Sequence, residues 1–492
     1  MLVAHNVAAG DDGNHYAEPD RNRDVASLMR NRGLERVSPP NLRSALMMVS
    51  HRGTFVTFAI LTVAAACTAP APQRDARAVD PALAAFIDSI RAVDNHSHAN
   101  STAPADSDAD ALPLDGIPFE LPVPLRADNP RYRAAYAALY NDADTDTSSA
   151  HATALRATMQ RVMREKGDSF PGWVLSRIGM EVQLANRISM GPGLPAPRFR
   201  WVSFVDALLL PLTTSAEASV TADRTKLYVL EDKLLRRYLA DLHLSRVPAT
   251  LDSYLHTIVT PTLEAQQKGG CIAVKFEAGY LRALDFADVP AATASAIYAR
   301  YAGGGVPSHA EYKALQDYLF RYIAREAGRL QMAVHIHSLE GFGNTYVASG
   351  SDPLLLEPTF NDTTLHATNF VILHGGGVFA SHTLAMLWKP NVYADLSMLT
   401  LAYTPDQLAL LLRSWLSQFP EKVLYGSDAV GLGPDMGWEV LAWTAQRNAR
   451  DALATALSGM MQSGDVTPAR AREIATMVLR TNASRLYRLG LK

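Results

Sequence analysis

Eight short apolar runs, rich in valine and isoleucine, constrain this 492-residue chain more than any other feature; they cover 91–96, 181–186, 199–206, 271–277, 331–337, 369–374, 391–396 and 422–427. Each is too short for an ordinary helix, and most are apolar at successive positions, as strands buried on both faces are. Between them lie helical patterns. Over 225–242 the residues Leu227, Leu230, Leu234, Leu235, Tyr238 and Leu242 recur every three or four positions, and a second such segment spans 310–330. Repeated strand–helix alternation predicts an α/β fold, a (β/α)8 TIM barrel, with a doubly wound open sheet as the alternative. The longest gaps follow strands 1, 3 and 4, so long helical insertions are expected there. These strand-to-helix connections form the catalytic face of such barrels, and insertions in them suggest a deep, covered pocket.

The first 81 residues stand apart from this pattern. Residues 1–46 are polar and without period, and are expected to be a disordered extension, a mis-assigned start with Met47 or Met48 as the true one. Residues 47–67 hold a charged stretch around Arg52, an apolar run too short to span a bilayer, and Ala64-Ala65-Ala66 before Cys67, the layout of an export signal. Cys67 after three small residues resembles a lipoprotein signal, with 68–81 as a flexible tether and 82–492 as the barrel domain. The expected location is the periplasm of a bacterium, soluble or held to the membrane only through a lipid anchor at Cys67. Cys271 is the only other cysteine, so no internal disulfide is available once Cys67 is used. A net charge of -3 offers no footprint for nucleic acid, and the partner expected is a small-molecule substrate, with a homo-oligomer possible.

The ends of the strand runs carry the chemistry. His96-Ser97-His98 closes the first run, and on a strand residues two apart point the same way, so both imidazoles can converge on one cation. Downstream runs end in Lys275, in His335-Ile336-His337, in His374 and in Gly426-Ser427-Asp428. Imidazole nitrogen and carboxylate oxygen suit a divalent metal, zinc by default, in a site that leaves a position open for water. Each histidine alone reads equally well as a hydrogen-bonded core residue; the set together does not. Lys275 and Glu277 share one side of strand 4 by alternation, and a lysine facing a barrel interior must be paired or chemically altered.

Taken in order, His96-Ser97-His98, His337, His374-Gly375-Gly376 and Gly426-Ser427-Asp428, with the tail 480–487, resemble the metal-dependent amidohydrolase superfamily, nearest the amidohydrolase-related branch that includes non-oxidative decarboxylases. The resemblance covers about 85–490. It implies that His96, His98 and His337 ligate a metal and that Asp428 ligates while taking a proton from water. His374 would bind a second ion or act as acid/base. In two-metal relatives the lysine of strand 4 is carboxylated and bridges the ions; Lys275 is either that bridge or an ammonium paired with Glu277, and the filled positions favour two ions. Arg187 and Arg282, with Tyr280, follow strands 2 and 4 where substrate would be met. Asp206 and Asp395 are candidates to orient ligand histidines, His335 lies a layer below His337, and Gly375-Gly376-Gly377 suggests close backbone approach. The implied function is a metal-dependent hydrolase acting on an amide, lactone or ester. A decarboxylase of the same branch and a non-catalytic binding lipoprotein are the rivals.

Overall fold

The computed structural model describes residues 78–113, 120–220, 222–341 and 346–491; the extension 1–46, the signal 47–67 with Cys67 and most of the 68–81 tether lie outside these residues. Eight parallel strands run in sequence order: β1 Ala92–Ser97, β2 Met180–Asn186, β3 Phe199–Phe204, β4 Cys271–Phe276, β5 Ala333–His337, β6 Phe370–Leu373, β7 Val392–Asp395 and β8 Val423–Leu424. Every expected strand is present. β8 is shorter than its apolar run because Tyr425 donates its backbone N–H to Val478 rather than to a strand neighbour.

The sheet closes between its first and last strands. Asn95 donates its backbone N–H to Tyr425 (2.9 Å), Asp428 donates to His96 (2.8 Å) and His98 donates to Ala429 (2.9 Å). Alternation then sorts the side chains. Val93, Val182, Leu184, Val202, Ala273, Ala333, Val371 and Leu373 fill the barrel interior, with Ala483 and Tyr487 of the C-terminal segment packed into the same cluster. Val274, Phe276, Val334, Ile336, Phe370 and Ile372 face the surrounding helices. The result is a packed core, not a pore.

The insertions fall where expected. Helices Arg131–Tyr140, Ser149–Lys166 and Phe170–Arg177 follow β1; Ala222–Asp241 and Thr260–Lys268 follow β3; Ala291–Tyr301 and His309–Arg329 follow β4. Local chemistry accounts for their starts: Ser308 caps the last of these in a reciprocal capping box with Glu311, leaving Leu315, Leu319, Phe320 and Ile323 to pack inward. Among the described residues no helix is long and apolar enough to cross a membrane.

Candidate metal centre

The cluster sits at the barrel seam. β1 shifts register between Asp94 and Ser97, and His96, which strict alternation from Val93 would send outward, meets Asp428 inside. His96 Nε2 lies 2.9 Å and His98 Nε2 3.4 Å from Asp428 Oδ1. One ligand atom from each of His96, His98 and Asp428 falls within 4.8 Å of the others, a spacing that fits three ligands on one divalent ion, and all three residues are buried. His374 Nδ1 approaches the other oxygen of Asp428 to 3.6 Å. His337 stands outside this trio, its ring 4.8 Å from His374 and 4.3 Å from Tyr280 between centroids, with Nε2 lacking a hydrogen-bond partner.

The backbone is bent to present these groups. His374 and Asp428 both adopt left-handed φ, +61° and +56°, and Gly375, Gly376 and Gly377 after His374 are all positive as well. Non-glycine residues in that region cost of order 1–3 kcal/mol each and concentrate at functional sites. At Gly375 a Cβ would lie 2.8 Å from both Leu399 and the buried Trp415, the close approach that the triplet suggested.

Burial and neighbours set the charges. Burial would raise the Asp428 carboxyl, but His374, His96 and His98 facing it outweigh that and hold it well below the usual carboxylate range. His96 and His337 are driven well below ordinary imidazole values, chiefly by burial, and burial takes His374 down to about 4. His98 moves the other way. Burial opposes its charge, but Asp110, 3.3 Å from Nδ1, overrides this and lifts it to about 9. A carboxylate behind a ligand histidine is a recurrent orienting arrangement in metal sites.

Lys275 is 2 % exposed, with Nζ 3.0 Å from Glu277 and 3.4 Å from His98 Nε2. Burial opposes the charge of the unmodified side chain, and Glu277, Asp428 and Asp110 outweigh that and raise it above its usual value. Asp206 does not orient a histidine: it accepts the backbone N–H of Glu277 at 2.7 Å. Asp395 does meet one, accepting the His374 backbone N–H at 2.8 Å. His335 lies below the site, bonded to Tyr487 at 2.7 Å.

A cavity of about 650 Å³ opens over the cluster. His98, Lys275, Glu277, Tyr280, His337, His374 and Asp428 line it, together with the apolar side chains of Leu112, Pro113, Leu121, Leu125, Met398, Val430 and Leu432. Neither expected arginine lines it. Arg187 is held by both oxygens of Asp106 and by the Ala99 and Ser189 carbonyls, and Arg282 pairs with Asp317 at 2.6 Å beside a separate cavity. Glu277 stands beside Lys275 as one of the two sequence readings had it, whereas Asp110, Asn186, which bonds His96 Nδ1 at 2.8 Å, and Ser397 are site residues that strand-end spacing did not single out.

Residues 273–489 match the family model described as amidohydrolase. This stretch, less than half of the chain, is similar to that family. Two solved structures share this fold at low identity. One is described as a metal-dependent hydrolase of Lactobacillus casei (TM-score 0.53, 16% identity, covering 84% of this chain and 99% of that one). The other is glucuronate isomerase of Caulobacter crescentus (TM-score 0.57, 13% identity, 85% and 97%). No curated protein matches the sequence.

Proposed function

We propose that the protein is a metal-dependent hydrolase of an uncharged amide, lactone or ester carrying an apolar group. The observation that carries this reading is the ionised Asp428, set between His96 and His98 on one side and His374 on the other at the floor of a cavity with an apolar wall. His96, His98 and Asp428 would hold one divalent cation, zinc by default. When bound, it supplies Lewis acidity that brings a water's pKa towards neutrality. Asp428 Oδ2 is placed to accept the proton of that water. His374, neutral because of its burial, would take up a proton at its bare ring nitrogen and pass it on to the leaving group. The apolar side chains exclude bulk water and receive the substrate's hydrocarbon part. Lys275 serves as the ammonium that balances Glu277, in place of the carboxylated bridge that a two-ion site requires.

A decarboxylase or a uronate isomerase must grip a substrate carboxylate. Here the guanidinium groups of Arg187 and Arg282 are committed to Asp106 and Asp317, and Lys275 is committed to Glu277. The test is a panel on zinc-loaded protein: neutral aryl esters, lactones and acyl amides beside aromatic carboxylic acids and uronates. Hydrolysis of the neutral compounds, lost by a factor of about 100 or more in Asp428→Asn, is expected. Carbon dioxide release from an aromatic acid, or ketose formation from a uronate, without any hydrolysis would overturn the reading.

A further inference from the structure

A single line of buried hydrogen bonds runs from the C-terminal segment at the base of the barrel to His374 at the cavity. Tyr487 meets His335 Nε2 at 2.7 Å and donates its hydroxyl to Asn95 Oδ1. Asn95 Nδ2 donates to Asp395 Oδ2 at 2.8 Å. The Ser397 hydroxyl donates to Asp395 Oδ1 at 2.7 Å, and its oxygen lies 2.9 Å from His374 Nδ1. The backbone N–H groups of His374 (2.8 Å) and Ser397 (3.2 Å) also point at Asp395 Oδ1. His335, Asn95, Asp395, Ser397 and His374 are each at most 1% exposed, and Tyr487 is 6% exposed.

Counting donors fixes the direction of every link. Asp395 receives four donors, as an ionised carboxylate does. Ser397 has one proton and spends it on Asp395, so the Ser397 oxygen can only accept from His374. Tyr487 likewise spends its proton on Asn95 and must accept from His335 Nε2–H. This agrees with His335 Nδ1, which is buried without a partner as the bare nitrogen of a neutral ring. All the protons therefore point towards Asp395.

We propose that Asp395 and Ser397, anchored through Asn95 by Tyr487, are positioning residues that hold His374 as the Nδ1–H tautomer, leaving Nε2 as the unprotonated nitrogen offered to the cavity. The sense of the Asn95 amide is what couples the two ends: Tyr487 fixes Oδ1, and Nδ2 is thereby turned to Asp395. A cation or a substrate proton at His374 then meets a lone pair of defined direction, which is the usual role of groups standing behind a metal-site or acid/base histidine.

The experiment is nitrogen-15 NMR of the histidine rings in the full chain, labelled at histidine and prepared with zinc, a diamagnetic ion, with His374 assigned by its loss in His374→Asn. Wild-type His374 is expected to show a protonated Nδ1 and a bare Nε2. Ser397→Ala should mix or invert the tautomers and lower kcat by about 10–100-fold with KM little changed, while Ser397→Thr, which keeps the hydroxyl, should restore both. Tyr487→Phe should shift the His374 ring signals in the same direction from the far end of the line. A wild-type His374 protonated at Nε2, or a tautomer unmoved by Ser397→Ala, would overturn the proposal whether or not the protein is a hydrolase. If Ser397→Ala does not fold, the wild-type spectrum and Tyr487→Phe decide alone, an unmoved His374 signal in Tyr487→Phe counting against the line.

Discussion

Lys275→Met isolates the role of the Lys275 side chain, proposed above to be a paired ammonium. Its Nζ is 3.0 Å from Glu277 Oε1, both side chains are at most 5% exposed, and Glu277 Oε2 has no hydrogen-bond partner. Removing the cation leaves a buried carboxyl beside Asp206, whose own carboxylate meets the Glu277 backbone. Breaking a buried pair from one side costs roughly 3–5 kcal/mol, whereas replacing both partners by neutral groups of similar size is close to neutral. With an unfolding entropy of about 2.1 cal/mol/K per residue, a barrel of roughly 400 residues loses about 4–6 °C of melting temperature in the single variant. The double variant Lys275→Met/Glu277→Gln should recover most of that loss. Scanning calorimetry measures the stability term, and metal analysis of the same samples measures the second consequence. The double variant should keep its one ion, because His96, His98 and Asp428 are untouched. A double variant as unstable as the single one would refute the pairing argument. A fall from two ions to one on removing Lys275 would refute the ammonium and restore the carboxylated bridge.

Two further predictions follow from the same geometry. Because Asp110 lifts His98 to about 9, metal-free His98 is protonated at neutral pH and must lose that proton to bind an ion. Affinity should climb about tenfold per pH unit from pH 7 and level off near pH 9, and in Asp110→Asn this rise should flatten; chelator competition across that range measures it, and an unchanged slope in the variant would exclude Asp110 as the cause. Gly375→Ala places a Cβ 2.8 Å from Leu399 and Trp415 at a φ of +56°, so a loss of roughly 2–5 kcal/mol is expected, from left-handed strain and overpacking together. Thermal denaturation checks it, and a variant of wild-type stability would show that the turn after His374 is free to relax.

The strands were legible because burial on both faces leaves a local signature: Phe370 to Leu373 or Ala333 to Ile336 reads as a strand from any direction. The site residues at strand ends were legible for the same reason, since their chain position fixes their height in the barrel. Groups that arrive from insertions were not. Asp106, which takes Arg187, and Asp110, which takes His98, lie in the excursion after β1, and no spacing ties them to the strands they serve. Asp317, on the helix after β4, takes Arg282 by the same kind of long-range closure. Arginines after strands 2 and 4 therefore looked available to a substrate when tertiary partners had already claimed them. The line through Tyr487, Asn95 and Ser397 was invisible for a related reason: its links join residues from opposite ends of the chain through side-chain geometry alone.

The seam between β1 and β8 has a consequence for the order of assembly. Ser427 donates to Asp94 across 333 residues of sequence, and the metal trio takes two members from one side of that join and the third from the other. No contiguous fragment that stops short of β8 contains the centre. Ring closure carries a large loop-closure entropy and belongs among the late events of folding. If His96, His98 and Asp428 hold an ion as proposed, its capture would report that the ring has closed, and a chain truncated before β8 would expose the two histidines without the third ligand.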